Sequence, residues 1–143
     1  MQISAMVVNQ NGRHHSLVQT GDKAQTLEIP PKAEGYGSSV NGGELLFLAL
    51  ATCYCNDIYR EAKDRGIEVQ SVEVEVSGQF GGKGEPAENI TYQASVVANG
   101  SEPEVLSLMR HTDSVAEIHN TLRRATPVVL TECRAVRARS TAG

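Results

Sequence analysis

A chain of 143 residues can bury one core without disulfide staples, and a formal net charge of -4 leaves no electrostatic footprint for a nucleic-acid partner. Its three cysteines are unevenly spaced, which excludes a disulfide framework and points to a reducing compartment. No charged segment followed by an apolar run opens the chain, so the expectation is a cytoplasmic protein of one domain, 1–143.

The first residues alternate. Ile3, Ala5 and Val7 mark one side of a strand, and Asn11-Gly12 supplies a hairpin turn. His15 to Thr20 and Gln25 to Pro30, separated by Gly21-Asp22, extend this to a three-strand meander within residues 1–34. Pro30-Pro31 and the Gly/Ser-rich stretch from Gly35 to Gly43 then form a loop.

Residues 41–66, NGGELLFLALATCYCNDIYREAKDRG, read as one complete helix. Asn41 with Glu44 three residues on spells a capping box, and Gly66 stands where a left-handed C-cap falls. From Leu45 to Cys55 every residue except Thr52 is apolar or a thiol, so the helix has no solvent face there and belongs in the centre of a core. The run is far short of the roughly 20 residues that cross a bilayer, and the following half is polar. No membrane partner is expected.

Past the helix, Val72, Val74 and Val76 alternate with Glu73 and Glu75, and Ile90, Tyr92, Ala94 and Val96 repeat the pattern around a long loop, FGGKGEPAEN. Ser101 with Glu104 and Ser114 with Glu117 each form a capping box ahead of a short helix, Thr126-Pro127 stops the second, and Val128 to Val136 reads as a last strand. The arginines of the run from Glu132 to Arg139 read as a solvated strand face or tail. Residues 70–138 thus hold a hairpin, two short helices and a strand, and the fold class is α+β with mainly antiparallel pairing. A helix apolar all round needs cover on every side, which calls for two sheets around it or a partner subunit. An obligate homodimer is expected.

The segment GGELLFLALATCYCNDI, the helix ending in Arg-Gly, the Val-rich hairpin and EIHNTLRR before a final strand resemble the OsmC/Ohr family of thiol-dependent hydroperoxide reductases and their relatives, over roughly residues 35–136. The resemblance implies an intertwined dimer whose two long helices are enclosed by sheets, with a thiol site at the interface. It places the reactive cysteine at Cys53, with Asp57 one turn on, an assisting glutamate at Glu44 and an assisting arginine, by position, at Arg13. It also exposes a departure: peroxidase members carry a second cysteine where this chain has Ala116.

Each candidate has a plainer reading beside the functional one. Cys53 is a nucleophile or a small core residue; Glu44 is an assisting carboxylate, a helix cap, or both. Cys53 and Cys55 diverge by roughly 200° around a helix, which excludes a relaxed disulfide or a shared metal. His14-His15 read as surface polar residues rather than zinc ligands, Cys133 as a half-buried strand thiol or a substitute resolving thiol, and His119 as a helix-surface or core-edge histidine or an acid-base group. No metal or cofactor is expected. Two functions follow. In one, Cys53 reduces an organic hydroperoxide and an external thiol regenerates it, because Ala116 cannot. In the other, the pocket binds a small apolar molecule, or Cys53 attacks an ester or another electrophile.

Overall fold

Asn41 starts the helix that organises the molecule. Its side chain accepts the Glu44 backbone N–H at 2.8 Å and the Glu44 carboxylate accepts the Asn41 N–H at 3.0 Å, closing the expected box. The computed structural model describes residues 1–139, so the last residues of the expected 1–143 domain lie outside it. Helix α1 runs Gly42–Asp64. Its end is a Schellman turn: the Gly66 and Ile67 N–H groups bond the Lys63 and Ala62 carbonyls, and Gly66 sits at φ 66°, a conformation that glycine adopts at no steric cost.

Before α1 lies the meander of β1 (Ile3–Gln10), β2 (Arg13–Thr20) and β3 (Lys23–Leu27), antiparallel in that order. β3 ends earlier than expected, ahead of Pro30-Pro31, where the ladder would lose two N–H donors. After α1 come β4 (Val69–Phe80) and β5 (Ala87–Ala98), an antiparallel hairpin whose strands run longer than the alternating valines required. Phe80 and Ala87 pair across the expected loop, which shrinks to residues 81–86. Helix α2 (Glu102–Val115) starts at the expected Ser101–Glu104 box, and α3 (Glu117–Arg123) follows it.

The second expected box does not form. Ser114 lies in the last turn of α2 and its hydroxyl donates back to the His111 carbonyl at 2.6 Å, so α3 starts at Glu117 with Ala116 as N-cap and no side-chain cap. The last strand, Val128 to Val136, does not form either: the segment has no regular structure, is unpaired among the described residues, and Val128 is 98% exposed. A strand needs an edge to pair with, and this segment meets none within one chain.

The core is one-sided. Tyr54, Ile58 and Ala62 of α1 meet Leu108 of α2, with Val72, Val74, Tyr92, Ala94 and Val96 of the hairpin packed against them. The Tyr54 hydroxyl ties α1 to α2 by donating to the Met109 carbonyl at 3.0 Å. On the other side of α1, Leu48 is 60% exposed, and the meander stands off across an open cleft.

Candidate functional site

Cys53 lies half-way along α1, half-buried, where the helix passes α3. Its Sγ is 3.5 Å from Asp57 Oδ2 and 3.9 Å from Glu117 Oε2, and the backbone N–H of Ile118 lies near enough to favour the thiolate. Asp57 is one turn beyond Cys53, which helical spacing requires of i and i+4. Arg60, one turn further, bridges both acids: its Nη1 is 3.1 Å from Asp57 Oδ1 and 2.9 Å from Glu117 Oε1.

The charges around the sulfur oppose one another. Burial pushes the Cys53 thiol up, the Ile118 N–H pulls it down, and Asp57 and Glu117 raise it again, so the neutral thiol is favoured. Burial and then the facing Glu117 carboxylate push Asp57 up, while Arg60 pulls the other way. Glu117 is held down by its own backbone N–H and by Arg60. Asp57 is therefore the more basic acid of the pair, and it is the one nearer the sulfur.

Cys53 and Ile118 lie at one end of the cleft between α1 and the meander, a volume of about 780 Å³ walled by Met6, Val18, Leu27 and Leu48 among other apolar groups. His14 also reaches it. Asn9 accepts the Gly37 N–H on Oδ1 at 2.9 Å, which turns its amide nitrogen toward His14 Nδ1 at 3.0 Å and leaves the ring proton on Nε2. Ligand atoms of Cys53, Asp57 and Glu117 all lie within 4.8 Å of one another, a spacing a divalent cation would accept. Arg60 already supplies the positive charge between the two carboxylates.

The sequence signature of the family described as OsmC-like protein matches residues 35–131. This chain belongs to the OsmC-like family. No curated protein matched the sequence. Among solved structures, an OsmC-like protein from Mycoplasma pneumoniae shares 20% identity over 85% of this chain and 86% of its own, with a TM-score of 0.59. An OsmC-like protein of unknown function from Vibrio cholerae gives 13%, 85%, 93% and 0.60. An organic hydroperoxide resistance protein OsmC from Legionella pneumophila gives 19%, 86%, 90% and 0.51. At such identities the likeness is one of fold.

Within this OsmC-like chain the residues expected to act together are only partly assembled. Cys53 and Asp57 are in contact. Glu44 is spent on the cap of α1, about 13 Å of helix away from Cys53, and Arg13 opens β2 opposite Gln10; neither lines the cleft. Ala116 is fully buried between α2 and α3, next to the Glu117 that reaches the sulfur. Cys55 faces Val72 and Val74 on another side of α1, as its spacing required, and Cys133 is exposed rather than half-buried. His119 is buried at 4% exposure, not on the helix surface. Sequence reading missed Arg60 and the approach of Glu117. Arg60 carried a signal, since 53, 57 and 60 share one helix face; Glu117, at a separation of 64 residues, carried none.

Proposed function

We propose that this protein reduces organic hydroperoxides through Cys53 and is regenerated by an external thiol. The observation that supports it is the thiol lining an apolar cleft with a proton acceptor, Asp57, 3.5 Å from the sulfur. The Cys53 sulfur attacks the distal oxygen of RO–OH, its proton passes to Asp57, the O–O bond breaks, and the departing alkoxide takes the proton from Asp57 to leave as the alcohol. Cys53 becomes a sulfenic acid. With Ala116 in place of a second thiol, one external thiol condenses with the sulfenic acid to a mixed disulfide and water, and a second releases Cys53 reduced.

The same reading makes the protein a homodimer. The exposed apolar side of α1 and the detached meander would close on those of a second copy, and Glu44 and Arg13, remote from Cys53 within one chain, would then approach it across the interface. Free cysteines suit the reducing cytoplasm, and among the described residues no helix is long and apolar enough to cross a membrane.

A second reading rests on the acidic surroundings of the thiol, which oppose a standing thiolate. In it the cleft binds an apolar molecule, or Cys53 attacks an ester with Asp57 as base and the Ile118 N–H facing the developing oxyanion. Cumene hydroperoxide titrated into the reduced protein separates the two. The peroxidase reading expects loss of one thiol per chain, an oxygen added at Cys53, turnover only with added thiol, and inertness of Cys53→Ser. A Cys53 that survives excess hydroperoxide while Cys133 oxidises would sink it.

A further inference from the structure

Two carboxylates point an oxygen at the Cys53 sulfur. Asp57 Oδ2 is 3.5 Å away and Glu117 Oε2 3.9 Å, while Arg60 is bound to the other oxygen of each. That guanidinium is shared a third time: its Nε donates to Glu61 Oε2 at 3.1 Å, and the other Glu61 oxygen meets His111 Nε2 of α2 at 2.7 Å. Three carboxylates thus surround one guanidinium, and with His111 protonated they would still outnumber the cations by one. The excess charge is negative, and the two acids that face the sulfur are part of it.

The cleft beside the thiol does not offset it. Among the described residues no lysine or arginine lines that cleft, and His14, its other ionisable side chain, takes the Asn9 amide on Nδ1 as a neutral ring does. The pair that a second copy would bring, Glu44 and Arg13, adds charges of opposite sign. Of the two acids at the sulfur, Glu117 is the one an incoming reagent meets, with its side chain 63% exposed against 9% for Asp57. Its own backbone N–H and Arg60 keep it ionised. A charge so close to the reacting atom acts on a charged reagent before contact and little on a neutral one.

We propose that Glu117, with Asp57, selects by charge what reacts at Cys53: neutral and cationic partners are admitted and anions excluded, so the external thiol of the cycle above is a neutral or cationic one. The inference rests on Cys53 as the reacting group and adds the chemical class of its reductant. In the first step the sulfur of R–SH bonds to the sulfenic sulfur of Cys53, the S–O bond breaks, and the oxygen leaves as water with the thiol's proton. In the second, another R–SH bonds to the R sulfur of the mixed disulfide, giving R–S–S–R and returning a proton to Cys53. Two thiols are oxidised to one disulfide and the sulfenic acid is reduced to the thiol. An anionic R group is repelled at the first approach, whereas an organic hydroperoxide, being neutral, is not.

Labelling of Cys53 in the full-length reduced protein, followed by peptide mass, tests the charge selection without hydroperoxide. Two methanethiosulfonates are compared near neutral pH, one carrying a trimethylammonium group and one a sulfonate, each rate divided by that of free mercaptoethanol. The cationic reagent is expected to be favoured by on the order of tenfold at low ionic strength, and about 1 M salt should erase most of that preference. Glu117→Gln should weaken the preference and Glu117→Lys should reverse it, whereas a side chain that merely crowds the sulfur would change both rates alike. In turnover with cumene hydroperoxide, cysteamine should outpace mercaptoacetate by about tenfold at equal thiolate concentration. The proposal is overturned if wild-type Cys53 shows no more preference than the free thiol, if Glu117→Lys keeps the wild-type preference, or if both thiols support turnover equally. A Cys53 that labels with the expected preference but never consumes hydroperoxide would sink the peroxidase reading and leave the charge selection standing.

Discussion

Asp57 acts on Cys53 in two opposed directions. Its negative charge, 3.5 Å from the sulfur, makes the resting thiol harder to ionise, yet its own raised pKa makes it a better acceptor for the thiol proton when the sulfur attacks. Asp57→Asn should therefore split two reactivities that a packing role would move together. Alkylation by iodoacetamide near pH 8 should become faster, because the thiol pKa falls. Reaction with an organic hydroperoxide should become slower, by about a hundredfold, the loss typical of removing a positioned base. The pH dependence carries a sign as well. Asp57 must be ionised to accept the proton, and its pKa lies above the usual carboxylate range, so the wild-type hydroperoxide rate should fall as pH drops through that raised value. In Asp57→Asn this acid limb should vanish. Stopped-flow rates across pH 4 to 8 would show whether it does.

Between elements, the join of α1 to β4 depends on absent side chains. A Cβ on Gly78 of β4 would come within 2.7 Å of Phe47 Cζ, and one on Gly43 of α1 within 2.8 Å of Phe80 Cε2, while the two rings stack at 5.8 Å. The glycines thus make room for an aromatic pair that pins the start of α1 to the far end of the hairpin. Gly78→Val should force the Phe47 ring out of this seat and destabilise the fold by about 1–3 kcal/mol, the cost of overpacking, with chemical denaturation as the measure. A variant as stable as wild type would mean that the ring has another place to go.

The complete chain exposes 11296 Å², against about 7,200 Å² for a compact monomer of 15.4 kDa. The excess, about 4,100 Å² per chain or about 8,200 Å² over two chains, is at or beyond the upper end of what obligate dimers bury. It lies where apolar residues face water: Leu48 on α1, Ile3, Met6 and Val7 on β1, and Val128 to Leu130 beyond α3. Sedimentation equilibrium at micromolar concentration should give the mass of two chains with no stable monomer, and Leu48→Glu should lower the dimer fraction sharply. A folded monomer of ordinary stability would remove the interface and leave Glu44 and Arg13 away from Cys53.

The elements were legible in the sequence where a few adjacent residues satisfy their own backbone. The Asn41–Glu44 and Ser101–Glu104 boxes, the Gly66 turn, the Asn11-Gly12 hairpin and the alternating valines of β4 each settle within a turn or a pleat, and all formed. The position of Asp57 beside Cys53 on α1 followed from the same 3.6-residue period, whereas the expected burial of α1 on every side is met on one side only, with Leu48 60% exposed. The Ser114–Glu117 box had the same pattern and failed, because the Ser114 hydroxyl had a carbonyl of its own helix within reach. Val128 to Val136 had a strand's composition but no strand beside it. Glu117 against Cys53, Arg60 between two acids and His119 buried among tyrosines arise where α3 folds back on α1. Such contacts join residues far apart in the chain, and no local hydrogen bond or periodicity encodes which of them will meet.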